Sequence, residues 1–176
     1  MRLELDRCVV RPWAASDLDA LVRHADNPNV ARHLRDRFPH PYGRQHGVEF
    51  LAAVIRAPRP TVWCIEVDGA CAGGIGIEVG RDVERVSAEI GYWLGEPYWG
   101  RGIATEVLVG VTAEVLVRFD LQRVFAMPFA GNAASIRVLE KAGYVLEGRL
   151  RQSAVKHGRV VDQLVYARYR PDAPGD

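Results

Sequence analysis

Residues 89–106 read Glu89-Ile90-Gly91-Tyr92-Trp93-Leu94-Gly95-Glu96-Pro97-Tyr98-Trp99-Gly100-Arg101-Gly102-Ile103-Ala104-Thr105-Glu106. A strand runs to Leu94 and residues 95–100 form a loop. From Ile103 onward, Ile103, Val107, Val111 and Val115 recur at helical spacing as far as Arg118. Gly100 and Gly102 let the backbone approach a ligand closely and turn its amides inward. The first amides of a helix lack internal partners and sit at the positive end of its dipole. The junction is therefore a candidate anion site suited to phosphate or pyrophosphate, with Arg101 placed to add a charge-assisted contact. The same glycines would serve a plain strand-to-helix turn. No Gly-Lys-Ser/Thr ending follows, and Thr105 stands where the dinucleotide pattern wants Gly or Ala. Spacing alone leaves the anion unspecified.

Outward from this stretch the periodicity alternates between two and 3.6. Residues 3–11 read as a first strand, and Ser16 followed by Asp19 resembles a capping box opening a helix with Leu18, Leu21, Val22 and Ala25 on one face. Asn27-Pro28 stops it, and residues 29–35 form a short helix. Arg44–Arg56 reads as a longer helix with Val48, Leu51, Val54 and Ile55 inward. Strands over residues 61–67 and 70–79 flank Asp68-Gly69, a hairpin signal. Residues 85–94 are a strand, 123–129 another, and 132–142 a helix with Gly143 as its C-cap. Residues 144–151, 154–156 and 160–168 close as strands, the last two joined at His157-Gly158. The expected class is α+β, with a largely antiparallel sheet and one strand–helix–strand crossover between residues 85 and 129.

The chain has 176 residues, enough for one domain over residues 1–170, and the Pro-containing residues 171–176 are expected to be a flexible tail. Hydrophobic residues make up 48% and charged ones 26%, which argues against disorder. With 23 basic and 22 acidic side chains there is no net field to favour nucleic acid. The charged N-terminus and the lack of a long apolar run point away from export and from the membrane, so a cytoplasmic setting is expected. Cys8, Cys64 and Cys71 lack metal or disulfide spacing and read as small buried residues. The five histidines show no metal-ligand pattern. Exposed sheet edges leave room for a homodimer.

The stretch from Glu89 to Glu106 resembles motif A of the GNAT acetyltransferase superfamily, specifically its RimJ/RimL-like branch. The resemblance extends through Trp63-Cys64-Ile65 with Gly69 and Gly73, through Asn132-Ala133-Ala134-Ser135, and through Val138-Leu139-Glu140-Lys141-Ala142-Gly143-Tyr144 to Gly158 and Asp162. It implies a mostly antiparallel central sheet, splayed at the coenzyme site and flanked by helices. It also implies an N-acetyltransferase that takes acetyl-CoA as co-substrate, uses no metal, and delivers the acetyl group to an amine. The pyrophosphate would rest on amides of Gly100, Arg101, Gly102, Ile103, Ala104 and Thr105, although the superfamily commonly carries Gln or Arg where this chain has Trp99. Tyr92, Trp93 and Leu94 would contact the pantetheine arm, which pairs with the strand where residues 90–94 separate from residues 123–129. An amide near Leu94 would polarise the thioester carbonyl. For at least one of Tyr92 and Trp93, core packing is the competing reading.

Asn132 reads equally as a helix N-cap or a coenzyme contact. Ser135 is the candidate acid for the leaving thiolate, because Leu139 stands where many members have tyrosine. Arg137 and Lys141 are expected in solvent. Glu89 is the candidate base, with a strand carboxylate in an ion pair as its plain alternative. Among acceptors, a protein or peptide α-amino group comes first. A small amine (aminoglycoside, polyamine or amino acid) is the alternative, and a non-catalytic acyl-CoA-binding module is a third reading. Arg32, Arg35, Arg37 and Arg44 would disfavour a polycation and suit an acidic peptide.

Overall fold

A computed structural model of the chain describes residues 1–171, so the expected tail lies outside the described residues except for Pro171. These residues fall into two compact units, residues 1–76 with 92–107, and residues 77–91 with 108–171. Among the described residues, eight strands form one mixed sheet in the order β1-β2-β3-β4-β5-β6-β8-β7. The strands are β1 (Leu3–Glu4), β2 (Val9–Arg11), β3 (Val62–Val67), β4 (Ala70–Val79), β5 (Ser87–Leu94), β6 (Arg123–Ala126), β7 (Val145–Lys156) and β8 (Arg159–Tyr169). The helices are α1 (Leu18–Ala25), α2 (Pro28–Ala31), α3 (Arg44–Arg56), α4 (Ile103–Arg118) and α5 (Ala133–Lys141). The crossover through α4 makes β5 and β6 parallel, while the other recorded pairs, β1–β2, β2–β3, β3–β4, β6–β8 and β7–β8, are antiparallel. The expected α+β fold with a largely antiparallel sheet is the one observed.

In the first unit, Trp13, Leu21, Ala25, Tyr42, Leu51, Cys64 and Cys71 form a buried cluster, and Leu18, Val22, Phe38, Phe50 and Val54 pack on it. Helix α3 has the expected bounds but a rotated inner face. Val48 and Ile55 are exposed, whereas Gly47 and Leu51 are buried and Phe50 and Val54 pack on the cluster. The expected single first strand is two short strands, β1 and β2, paired antiparallel around a turn at Asp6-Arg7. Ser16 does not cap α1. A turn of 3₁₀ helix precedes it, and the Asp17 carboxylate accepts the Ala14 amide at 2.8 Å.

In the second unit Leu108, Val111, Val115, Leu121, Val124, Leu139 and Ala167 are buried, and the buried Thr112 and Tyr144 hydroxyls share a hydrogen bond of 2.6 Å. The strand expected over residues 123–129 stops at Ala126, leaving Phe129 in an isolated bridge to Gln163. The two strands expected over 144–156 are one strand, β7, whose register against β8 shifts between Leu146 and Gly148 and again between Leu150 and Ala154. The second shift contains Gln152 at φ 54°. Such bulges keep one strand continuous while leaving a break in its pattern. Cys8, Cys64 and Cys71 are buried free thiols. Among the described residues no helix is long and apolar enough to cross a membrane.

One buried charge network holds the start of the first unit. Arg11 donates to both Asp17 carboxylate oxygens, at 2.8 and 2.7 Å, and to Glu66 on β3. Burial alone would raise the Asp17 pKa, but the Arg11 bonds and the Ala14 amide hold it below the usual carboxylate range. Asp17→Asn is expected to cost about 2 kcal/mol. This lies below the usual loss for a broken buried pair, because Glu66 remains on Arg11 and Asn keeps an acceptor for Ala14. With a depressed folded-state pKa, the Asp17 contribution is fully present above about pH 4 and fades as pH falls through the lower folded value. Urea unfolding of both proteins at pH 7 and pH 3 checks this. The gap between them should shrink at the lower pH.

Candidate functional site

In the first unit, β5 ends at Leu94 and the chain bends through Glu96–Tyr98, a turn of 3₁₀ helix, before α4 begins at Ile103. Gly100 has φ +73° and Gly102 φ +78°, a left-handed backbone that L side chains rarely adopt. An added Cβ at Gly100 would meet nothing within 4 Å, so its constraint is the backbone angle and not crowding. The bend delivers the chain to the amino end of a 16-residue helix, where the leading amides have no acceptor within the helix itself. Arg101 is exposed. Its guanidinium stands over the Tyr98 ring, 5.7 Å from the centroid, and 3.9 Å from the Asp68 carboxylate at the β3–β4 turn.

Trp99 accounts for the departure from the common pattern. Its indole Nε1 donates to the Leu94 carbonyl at 2.8 Å, so the side chain closes the bend that leads to the glycines. The Gly95 amide donates to the Ala72 carbonyl of β4 at 2.8 Å. That amide is therefore used within the sheet. At Gly73 an added Cβ would lie 2.2 Å from the Trp93 carbonyl oxygen, so β4 approaches the end of β5 more closely than any side chain allows. The two aromatic residues of β5 divide as alternation requires. Trp93 packs edge-on against Phe38, with ring centroids 5.5 Å apart, as part of the core. Tyr92 is half-buried on the other face, shared with the buried Ile90 and Leu94.

Contacts distant in sequence fix the bend. Glu96 accepts hydrogen bonds from Asn27 Nδ2 at 2.7 Å and Asn29 Nδ2 at 2.9 Å, and these two bonds hold its carboxyl below the usual range. The His24 ring lies against Gly95 and edge-on to Tyr98, at 5.3 Å between centroids. Burial, then the charge of Arg23, lowers the His24 pKa. At the other side of the bend, Glu106 in the first turn of α4 accepts the Asp6 amide at 2.7 Å. None of these partners has a local spacing that sequence could reveal, since Glu96 lies 69 and 67 residues from its two donors.

The second unit carries Glu89, Asn132 and Ser135. Glu89 lies on β5 opposite Phe125 of β6, at the last recorded pair of a short parallel ladder that begins at Ser87 opposite Arg123. Residues 90–94 of β5 continue past the last recorded pair of that ladder. Glu89 is half-buried and lines a cavity of about 430 Å³ with Glu78, Arg81, Glu84, Arg123 and Phe125. Arg123 lies over the Phe125 ring at 4.3 Å and donates to Glu147, which also accepts from the Tyr169 hydroxyl. Its hydrogen bond to Arg123 comes first in holding the Glu147 carboxyl below its usual range. Asn132 caps α5, its Oδ1 accepting the Ser135 amide at 3.2 Å, so the structural role is present and brings these two residues together. Leu139 is fully buried, and Arg137 and Lys141 are exposed. Asp162 accepts the Gln152 amide at 2.8 Å and pairs with Arg149 at 2.6 Å, closing the bulged β7–β8 hairpin. Among the described residues no group of three or more His, Cys, Asp or Glu side chains could hold a metal ion.

The model of the Acetyltransferase (GNAT) domain matches residues 7–145. The uncharacterized N-acetyltransferase YoaA of Bacillus subtilis (strain 168) is 30% identical over 180 residues, covering 96% of this chain and 97% of that protein. The ribosomal-protein-serine acetyltransferase of Escherichia coli (strain K12) is 33% identical over 82 residues, 47% of this chain and 46% of that protein. Among solved structures, RimL, a ribosomal L7/L12 alpha-N-protein acetyltransferase in complex with coenzyme A, superposes with a TM-score of 0.84 at 22% identity. That match covers 96% of this chain and 98% of the other and is a likeness of fold.

Proposed function

Because the chain belongs to the GNAT acetyltransferase family, we propose that it moves the acetyl group of acetyl-CoA directly to the α-amino group of a protein or peptide. The observation that carries the coenzyme part is the bend before α4, where Gly100 and Gly102 hold positive φ and lead into the first turn of a long helix, the positive end of its dipole. In this reading the amides of residues 100–105 hold the diphosphate. Tyr92 and Leu94 border the pantetheine arm, which adds to the edge of β5 as an extra strand. Trp93 acts from the core, setting the height of the strand against Phe38.

The acceptor must attack as a neutral amine, and an α-amino group is mostly protonated at neutral pH. Glu89 takes its proton, directly or through water. The amine lone pair then adds to the thioester carbon, and the oxyanion that forms is met by a backbone amide. Collapse breaks the carbon–sulfur bond, the Ser135 hydroxyl gives its proton to the departing thiolate, and the second proton shed by the acylated nitrogen restores that hydroxyl through solvent. The likeness to the ribosomal-protein-serine acetyltransferase supports a protein acceptor. The clustering of Arg32, Arg35, Arg37 and Arg44 in the sequence supports an acidic one, and Arg44 donates to Asp19 at 2.5 Å.

The test is thiol release from acetyl-CoA against pools of amines and peptides. Peptides with an acidic residue near a free α-amino group are expected to react at least about tenfold faster than any polyamine, a difference of about 1.4 kcal/mol in barrier. A polyamine or aminoglycoside outrunning every peptide would replace the protein acceptor with a small one. Tight coenzyme binding without thiol release across the whole panel would favour a non-catalytic acyl-CoA-binding module.

A further inference from the structure

The turn between β1 and β2 brings a cation to the bend before α4. Arg7 Nε lies 3.8 Å from the position a Cβ would take at Gly102. The turn is fastened there by Glu106, whose Oε1 accepts the Asp6 amide at 2.7 Å. Its Oε2 is shut from solvent, has no hydrogen bond among the described residues, and lies 3.5 Å from Arg7 Nη1. A carboxylate in the first turn of a helix interacts favourably with the dipole, but it occupies the same positive end that an incoming diphosphate would use. Without a compensating cation, Glu106 would repel the ligand that the bend is shaped to hold.

We infer that Arg7 is a coenzyme-positioning residue, whose guanidinium beside Gly102 offsets the Glu106 charge and attracts the diphosphate of acetyl-CoA. The inference rests on the reading of residues 100–105 as the diphosphate site. It adds a contact from a part of the chain nearly one hundred residues away. Half of the Arg7 side chain remains open to solvent, at 56% exposure, so the guanidinium can meet a ligand with its outer face while staying beside the Glu106 carboxylate.

The test is the Kd of coenzyme A, measured by calorimetry at about 50 mM and about 500 mM NaCl for wild type, Arg7→Gln and Arg7→Lys. The salt span takes the screening length from above 10 Å to a few ångströms. Arg7→Gln is expected to weaken binding about tenfold at low salt and to converge with wild type at high salt, and Arg7→Lys to stay within about threefold. A role confined to bracing the turn would give an equal loss at both salts and a lower Tm, and either an equal loss or no loss at all overturns the proposal. Wild-type protein that fails to bind coenzyme A at either salt refutes the diphosphate site itself, an outcome distinct from a silent Arg7→Gln.

Discussion

Glu89→Gln is expected to lower kcat by about 10²–10³-fold while the Kd of acetyl-CoA stays within about twofold of wild type. The substitution keeps the volume and one acceptor oxygen, so the new side chain still fits opposite Phe125 at the end of the β5–β6 ladder. What it removes is a group able to take the proton that the acceptor loses on attack. Without that group the rate depends on the fraction of acceptor already neutral. The mutant rate should therefore keep rising with pH toward the pKa of an α-amino group, near 8. The discriminating measurement is the kcat–pH profile of both proteins with one peptide acceptor, together with coenzyme affinity and Tm. If Glu89 were a strand carboxylate paired with a cation of the cavity it lines, Gln would lower Tm and leave the profile unchanged. An unaltered profile and rate would remove Glu89 from the mechanism.

Where one element imposes one period, the sequence was legible. The spacing of Ile103, Val107, Val111 and Val115 predicts α4, and all four are buried in a helix with the expected bounds. Asp68-Gly69 and His157-Gly158 mark hairpins because both residues of each pair take positive φ, an angle few other sequences tolerate. The inner face of α3 departs from the apolar pattern because Val48 and Ile55 are apolar yet exposed, while Gly47 packs within 2.8 Å of Leu18 measured from an added Cβ. A glycine gives no hydropathy signal, so a close helix approach of this kind cannot be seen in a pattern of apolar residues. The division of Tyr92 from Trp93 followed from strand alternation, but which of them faced the core required Phe38, some fifty residues away. The same holds for the supports of the bend. Glu96, Trp99 and Glu106 each look like ordinary loop or helix residues until Asn27, Asn29, Leu94 and Asp6 are brought to them. Family resemblance supplied the bend, and packing supplied what holds it.

Gly102→Val is expected to weaken coenzyme A binding about a hundredfold with little change in Tm. The residue is exposed and its added Cβ would meet only Arg7 Nε, at 3.8 Å, so crowding is not the obstacle. The obstacle is φ +78°, which places a side-chain carbon against the backbone and costs an ordinary residue about 1–2 kcal/mol. A β-branched residue suffers more, because such positive φ is an outlier for it. The strain is relieved most easily by turning the peptide flanking residue 102, and that motion carries away amides on which the diphosphate would rest. Relaxation of an exposed bend costs the fold little, so the loss should appear in affinity and not in stability. Gly102→Asn separates backbone from bulk, since Asn tolerates the left-handed region far better than Val. It should keep affinity within about fivefold of wild type despite its larger volume than alanine. Calorimetric titration of coenzyme A into the three proteins reads the ranking Gly, Asn, Val. Equal affinities for Gly and Val would mean that the diphosphate does not rest on this bend, and the assignment of residues 100–105 would fall with it.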